Sequence, residues 1–240
     1  MKTTQILFTT PMVQALQSGT KTQTRRLNGL KNINENPDAW ECAATVEGSP
    51  APNVKENSFY AVFVQPGKTA KIKCPYGSPG AVLWVRETFY AYGWWVKEGV
   101  EWRFVDFTPE DKDGKYHYED NPPAEVVLNR EANKMGWYKR PSIFMPKAAC
   151  RIFLKIKSIR VERLQSITEG DAVAEGVLID DDGYNCYDYL TKDFRFIEPE
   201  YSYQTLWQKI TGPESWAANP WVWVVEFEKC EKPESFNNVW

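Results

Sequence analysis

Gly19-Thr20-Lys21-Thr22-Gln23-Thr24-Arg25-Arg26 gathers one amine, three hydroxyls and two guanidiniums into eight residues. The segment before it carries helix punctuation. Thr10-Pro11 fits the N-cap and first turn, Met12, Val13 and Leu16 recur at helical spacing, and Gly19 supplies a left-handed stop. The polar cluster thus begins where a rigid element ends, a frequent place for a site. A Lys three residues before a Thr can take the hydroxyl proton if burial brings the amine near neutrality. Arg25 and Arg26 offer planar forks suited to phosphate or a base edge. The same residues also describe a solvated basic strand or turn, and spacing alone favours that plainer reading.

Working outward, residues 5–9 read as a short strand feeding a helix over 11–18. Residues 28–57 are rich in Asn, Pro, Gly and Glu without sustained periodicity and read as a long loop or a partly ordered insertion. Strands are expected over 58–64 and 69–74, joined by a turn at Pro66-Gly67. In residues 81–88, AVLWVRET, alternation puts Val82, Trp84 and Arg86 on one side and Leu83, Val85 and Glu87 on the other. Apolar residues on both sides make this a central strand with Arg86 and Glu87 emerging at its end. An ion pair at a buried rim and contact with a ligand are both open readings for those two.

Residues 89–107 hold Tyr90, Tyr92, Trp94, Trp95, Trp102 and Phe104 around Gly93 and Gly99, a β-hairpin whose aromatic face is read as core packing in preference to a base-stacking shelf. An acidic, proline-bearing stretch runs irregularly over 108–140. Ile152, Leu154 and Ile156, then Ile159 and Val161, give a long or bent strand. Ser166 or Thr168 caps a short helix that carries Asp171 and Glu175 on one face and stops at Gly176. The segment 178–200 is acidic and aromatic. Its three successive aspartates, Asp180, Asp181 and Asp182, lack the alternate spacing of a calcium loop and read as solvated. A helix over 202–210 ends at Gly212-Pro213, Trp221 to Glu228 alternate as a last strand, and 231–240 read as a frayed tail.

The whole chain bounds what these pieces can do. Its 240 residues suit one domain with insertions, and 42% hydrophobic and 25% charged residues are ordinary for a soluble globular protein. Its 11 Trp, 12 Tyr and 12 Phe either fill a β-rich core or form stacking platforms. A net charge of -3 opposes a broad basic face for duplex nucleic acid and leaves room for a local basic pocket. Five scattered cysteines without a CxxC pair point to reduced thiols in a cytosol. His117 is the only histidine and sits in a polar stretch, so no metal site, cofactor or Ser-His-Asp arrangement is expected. No apolar run reaches membrane-span length and no signal-peptide pattern opens the chain, so a cytoplasmic protein without membrane contact is expected.

Four pieces together resemble an ASCH domain, a β-barrel family related to the PUA fold: the helix running into GTKTQTRR, the PGAVLWVRET strand, the SITEGDAVAEGV helix and the closing NPWVWVVEF strand. They cover somewhat under half of the chain. The resemblance implies an α+β class with a mixed β-barrel, a few short helices and insertions at about 28–57, 89–147 and 178–200 in one domain over 1–230. It also implies binding of a nucleoside, or of a base in RNA or single-stranded nucleic acid.

One branch of the family removes acyl groups from the exocyclic nitrogen of cytidine. Its Lys, Thr and Glu match Lys21, Thr24 and Glu175, and Arg26 belongs to the same motif. In that amidohydrolase reading Thr24 attacks the carbonyl, Lys21 acts as base and Glu175 handles the leaving amine, with no metal. Strand alternation would turn Lys21 and Thr24 to opposite sides, so the triad requires a turn or bulge between them. Arg25 stands where the small enzymes carry an apolar residue, and larger chains of this layout resemble bacteriophage and prophage proteins. Two further readings follow. One is a non-catalytic nucleic-acid reader using Arg25, Arg26, Arg86 and Glu87; the other is a phage accessory protein whose insertions are contact surfaces.

Overall fold

A computed structural model describes residues 3–48, 58–183, 185–195 and 197–237. In chain order the first elements are β1 (Thr3–Leu7), α1 (Thr10–Ser18), β2 (Gln23–Arg26), α2 (Lys31–Asn34), β3 (Glu41–Gly48), β4 (Ser58–Gln65), β5 (Lys68–Lys73) and β6 (Val82–Arg86). Then follow β7 (Phe89–Glu98), β8 (Glu101–Asp106), α3 (Thr108–Asp111), β9 (His117–Tyr118) and β10 (Gly136–Arg140). The last are β11 (Phe153–Arg163), α4 (Glu169–Ala174), β12 (Cys186–Asp188), β13 (Asp193–Arg195), α5 (Pro199–Thr211) and β14 (Trp221–Cys230). The class is α+β and strand-rich. Among the described residues the strands form four sheets and none closes into a ring, so the expected barrel is not present as a closed sheet.

The chain divides into two compact units where one domain with insertions was expected. As far as they are described, residues 3–4, 15–82 and 154–230 form the first, and residues 5–14, 83–153 and 231–237 the second.

In the first unit β11, β14 and β2 lie side by side, and β14 runs antiparallel to β2 with Val224 opposite Arg25 and Val225 opposite Thr24. Period-two alternation gives the two faces of β14 different partners. Val222 and Val224 bury against Ala172 of α4 and Tyr203 and Trp207 of α5. Trp223, on the opposite face, meets Phe59 of β4 edge-on at 6.4 Å. The helix α5 begins at Pro199, earlier than its apolar spacing indicates, because Pro is well suited to the first helical position.

The hairpin of β4 and β5 turns at Gly67 (φ +74°), as its sequence predicts. Of the two expectations for 28–57, a long loop or a partly ordered insertion, the described residues show the second: they hold α2, and β3 pairs antiparallel with β4. β3 is an edge strand with no fully buried residue and a register shift between Cys42 and Ala44, so it lacks the clean apolar alternation that announces a strand. Residues 49–57 of that expected loop lie outside the described residues. In the acidic 178–200 segment β12 and β13 form a small hairpin, and Asn185 donates its N–H and Nδ2 to the Asp180 carboxylate at 3.1 and 2.6 Å. Asp180 therefore builds a turn while Asp181 and Asp182 stay exposed. Tyr184 and Phe196 of that segment lie outside the described residues.

The second unit contains all of what reads as an insertion over 89–147. β7 is flanked by β10 and β8, and β9 pairs with its start. β7 turns into β8 around Gly99 (φ +64°). Gly93 is required inside β7, because a Cβ there would stand 2.0 Å from the Val105 carbonyl oxygen. The expected frayed tail is anchored as far as it is described: Phe236 is buried edge-on to Phe153 at 4.7 Å and Trp84 at 5.9 Å. Residues 238–240 lie outside the described residues.

Candidate functional site

The polar cluster that opens the sequence reading sits at a corner of the first unit. α1 stops at Ser18, Gly19 takes φ +84°, and the Lys21 N–H donates to the Ala15 carbonyl at 3.0 Å. The Thr22 N–H then donates to the carbonyl of Ala174, at the end of α4, at 2.8 Å. α4 is set by a capping box in which Asp171 takes the place usual for Glu or Gln. The Asp171 N–H donates to the Thr168 hydroxyl at 3.2 Å, and the Thr168 N–H donates to the Asp171 carboxylate at 3.4 Å. Glu175 is the C-cap and Gly176 follows at φ +82°. A Cβ on Gly176 would meet Cβ of Ala15 at 2.9 Å and Cβ of Lys21 at 3.1 Å, so this glycine both ends α4 and admits Lys21 alongside it.

Lys21 Nζ donates to Glu175 Oε2 at 3.0 Å and to the Glu175 carbonyl at 2.7 Å, joining residues 154 positions apart. Lys21 is 2% exposed and Glu175 4%. Arg25, on β2, spreads its fork over three acids: Nη1 donates to Glu175 at 3.3 Å, and Nη2 donates to Asp171 at 3.1 Å and to Glu162. Gln23 Nε2 donates to the Asp171 side chain at 3.1 Å and its carbonyl at 2.8 Å. Arg160 completes the network, donating to Asp171 at 2.8 Å, to Glu162 at 3.1 Å and to Glu226.

Burial pulls the Lys21 amine below its ordinary pKa, and the Glu175 carboxylate only partly opposes this. For Arg25 burial acts downward too, but Glu175 and the other acids outweigh it and hold the guanidinium charge more firmly. Burial alone would raise the Asp171 pKa; Arg25, Gln23 and Arg160 together hold it below the usual carboxylate range.

The structure brings Lys21 and Glu175 together and leaves Thr24 out of their network. The ladder between β2 and β14 runs from Gln23 to Arg26 without a register shift. Gln23 and Arg25 both reach Asp171, so regular alternation turns Thr24 to the opposite face. Its hydroxyl is buried without a hydrogen-bond partner among the described residues. Arg25 is not a ligand-facing cation: it is 1% exposed and engaged by three carboxylates. Arg26 is half-buried and donates to the Arg25 carbonyl at 3.4 Å. Arg86 and Glu87 belong to the second unit. There Glu87 accepts two bonds from Arg151, at 2.9 and 2.8 Å, and Arg86 donates to Gln5 at 2.9 Å and to the Ile143 carbonyl. The ion-pair reading thus holds for Glu87.

Sequence reasoning passed over Arg160, Glu162, Gln23, Glu226 and Tyr203, whose ring centroid lies 5.8 Å from the Arg25 guanidinium. Arg160-Val161-Glu162 carried a usable signal, because opposite charges two apart on a strand share a face. Beside the network an open groove of about 510 Å³ is lined by Lys21, Lys157, Lys229, Asp171, Glu226, Glu228 and Gln23, the Lys21 amine itself being buried on Glu175. Three amines against three carboxylates leave its wall close to neutral.

Comparison of the chain with family models, with curated proteins and with solved structures finds no match in any of the three.

Proposed function

We propose that the first unit binds a nucleoside, free or presented as a base of RNA or single-stranded nucleic acid, in the groove beside Lys21 and Glu175. On this reading the unit is an ASCH-type, PUA-like module. The observation that carries it is the groove wall, where the Gln23 amide, the Asp171, Glu226 and Glu228 side chains and the exposed Lys157 and Lys229 side chains stand together with balanced charge, backed by the buried Lys21–Glu175 pair. Such a wall suits hydrogen bonding to the edge of a neutral base and offers no excess cation for phosphates. Support also comes from the meeting of the α1–β2 corner with the end of α4, the two pieces of sequence most specific to the resemblance.

Hydrolysis of N4-acylated cytidine needs the Thr24 hydroxyl beside the Lys21 amine. Here that hydroxyl lies on the other face of β2, so binding is the function proposed and turnover is assayed with it. Calorimetric titration with cytidine, uridine and adenosine at low and high salt tests the reading. Saturable binding of one nucleoside, little changed by salt and weakened by Lys21→Met or by Lys157→Ala with Lys229→Ala, is expected. Failure of every nucleoside to bind, or binding indifferent to all of these substitutions, overturns it. Chromatographic detection of cytidine released from N4-acetylcytidine reports any turnover in the same samples.

A further inference from the structure

The second unit holds a cavity of about 900 Å³ whose lining contains no Asp or Glu and includes Arg103, Arg130, Lys139 and Arg140. That is unexpected in a chain of net charge -3. Arg140, at the end of β10, is 8% exposed. Its guanidinium stacks on Phe104 at 4.4 Å, Trp95 at 4.6 Å and Phe144 at 4.9 Å. Among the described residues no hydrogen bond or ion pair is formed by its side chain. The nearest acidic influence is Asp106, which accepts from Tyr116 at 3.0 Å and from the Thr108 N–H at 3.0 Å. Arg130, exposed on the loop before β10, lies over the same Trp95 ring at 4.4 Å. Trp95 is 7% exposed and its indole N–H has no acceptor.

With no protein acceptor among the described residues and none of its nitrogens sealed from the cavity, the Arg140 guanidinium leaves its N–H groups to solvent or to a ligand there. Stacked aromatics satisfy its flat faces and leave the N–H edge for an anion. The same cavity offers part of the half-buried rings of Trp102 and Phe104 for a flat partner, the Trp95 ring being covered by Arg130 and Arg140. We propose that this cavity is a second binding site, which takes a phosphorylated nucleoside with the phosphate on Arg140 and Arg130 and the base against the aromatic wall. The phosphate-bearing unit is either a free mononucleotide or one residue of a single strand, and both present the same chemistry. The proposal rests on the second unit alone and stands or falls separately from the nucleoside groove of the first.

The test is titration of the full chain with cytidine monophosphate, adenosine monophosphate, the two parent nucleosides, inorganic phosphate and an eight-residue single-stranded oligonucleotide. A monophosphate or the oligonucleotide is expected to bind in a salt-sensitive manner, and Arg130→Gln is expected to weaken that binding by about tenfold. Arg130 is exposed, so this variant keeps the fold; Arg140→Lys, which keeps the charge and loses the fork, is expected to weaken binding as well. Equal affinity for monophosphate and oligonucleotide assigns the site to free nucleotides, and binding of the oligonucleotide alone assigns it to a strand; either result supports the proposal. Lys21→Met is expected to leave phosphate-dependent binding unchanged. Absence of any phosphate-dependent binding, binding unaffected by Arg130→Gln and Arg140→Lys, or binding lost only in Lys21→Met overturns it.

Discussion

Replacing Arg25 with Met tests whether the network around β2 holds the first unit together. The network formally contains three cations, Lys21, Arg25 and Arg160, and four carboxylates, Glu162, Asp171, Glu175 and Glu226. Met fills much of the volume of Arg25 but leaves two cations against four acids in a place where Arg25 is 1% exposed. Removing one partner of a buried pair costs about 3–5 kcal/mol. Glu175 keeps Lys21, and Glu162 and Asp171 keep Arg160, so the lower end, about 3 kcal/mol, applies. With a urea slope of about 2 kcal/mol per molar, the unfolding midpoint falls by about 1.5 M. Arg25→Lys keeps the charge but cannot bridge three acids, and an intermediate fall is expected. Adding Glu175→Gln to Arg25→Met removes one stranded acid and recovers part of the loss, a coupling of about 1 kcal/mol. Urea titrations followed by circular dichroism and tryptophan fluorescence measure the unaltered protein, these variants and Glu175→Gln alone, which closes the cycle. A fall worth less than about 1 kcal/mol in Arg25→Met, or strict additivity in the double variant, refutes the reasoning.

Gly176→Ala forces a side chain onto φ +82° and into Ala15 and Lys21, and a loss of about 2 kcal/mol is expected in the same titration. Thr24→Val removes a buried hydroxyl without a partner and is expected to be neutral or stabilising by up to about 1 kcal/mol; a clear loss of stability would show that the hydroxyl is bonded in solution. The Asp171 pKa is lowered from its ordinary 3.8 in the folded chain, so its contribution is complete above that value and is lost as pH falls through the lower folded pKa. Asp171→Asn is therefore expected to flatten the acid limb of the stability profile, and an unchanged limb counts against the network. The Lys21 amine is shifted the other way for a base. It is easier to deprotonate when folded, so its protonated form opposes folding below the unfolded pKa, and Lys21→Met is expected to remove a rise in stability toward pH 10.5.

The helix of GTKTQTRR's leading segment, the Thr168 cap, the Gly176 stop and the β4–β5 hairpin were legible because each rests on short-range chemistry: a cap, a left-handed glycine, an alternating pair of strands. The Lys21–Glu175 contact was legible only through the resemblance, since nothing local joins residues 154 positions apart. Arg25 was misread because a basic dipeptide beside threonines gives no sign of three acids supplied by β11, α4 and its C-cap. Thr24 failed for the reason alternation itself supplies: β2 is regular, so the hydroxyl cannot follow the amine to one face. β3 escaped because an edge strand needs no apolar stripe, and the aromatic hairpin was assigned to packing because a stacking wall and a core use the same side chains.

The groove beside Lys21 and Glu175 is tested most directly by solving the crystal structure of the protein with cytidine bound. The account predicts the base in that groove, with its edge within hydrogen-bond reach of Asp171, Glu226 or the Lys157 amine. A nucleoside seated elsewhere on the first unit, or an empty groove at saturating cytidine, would contradict it.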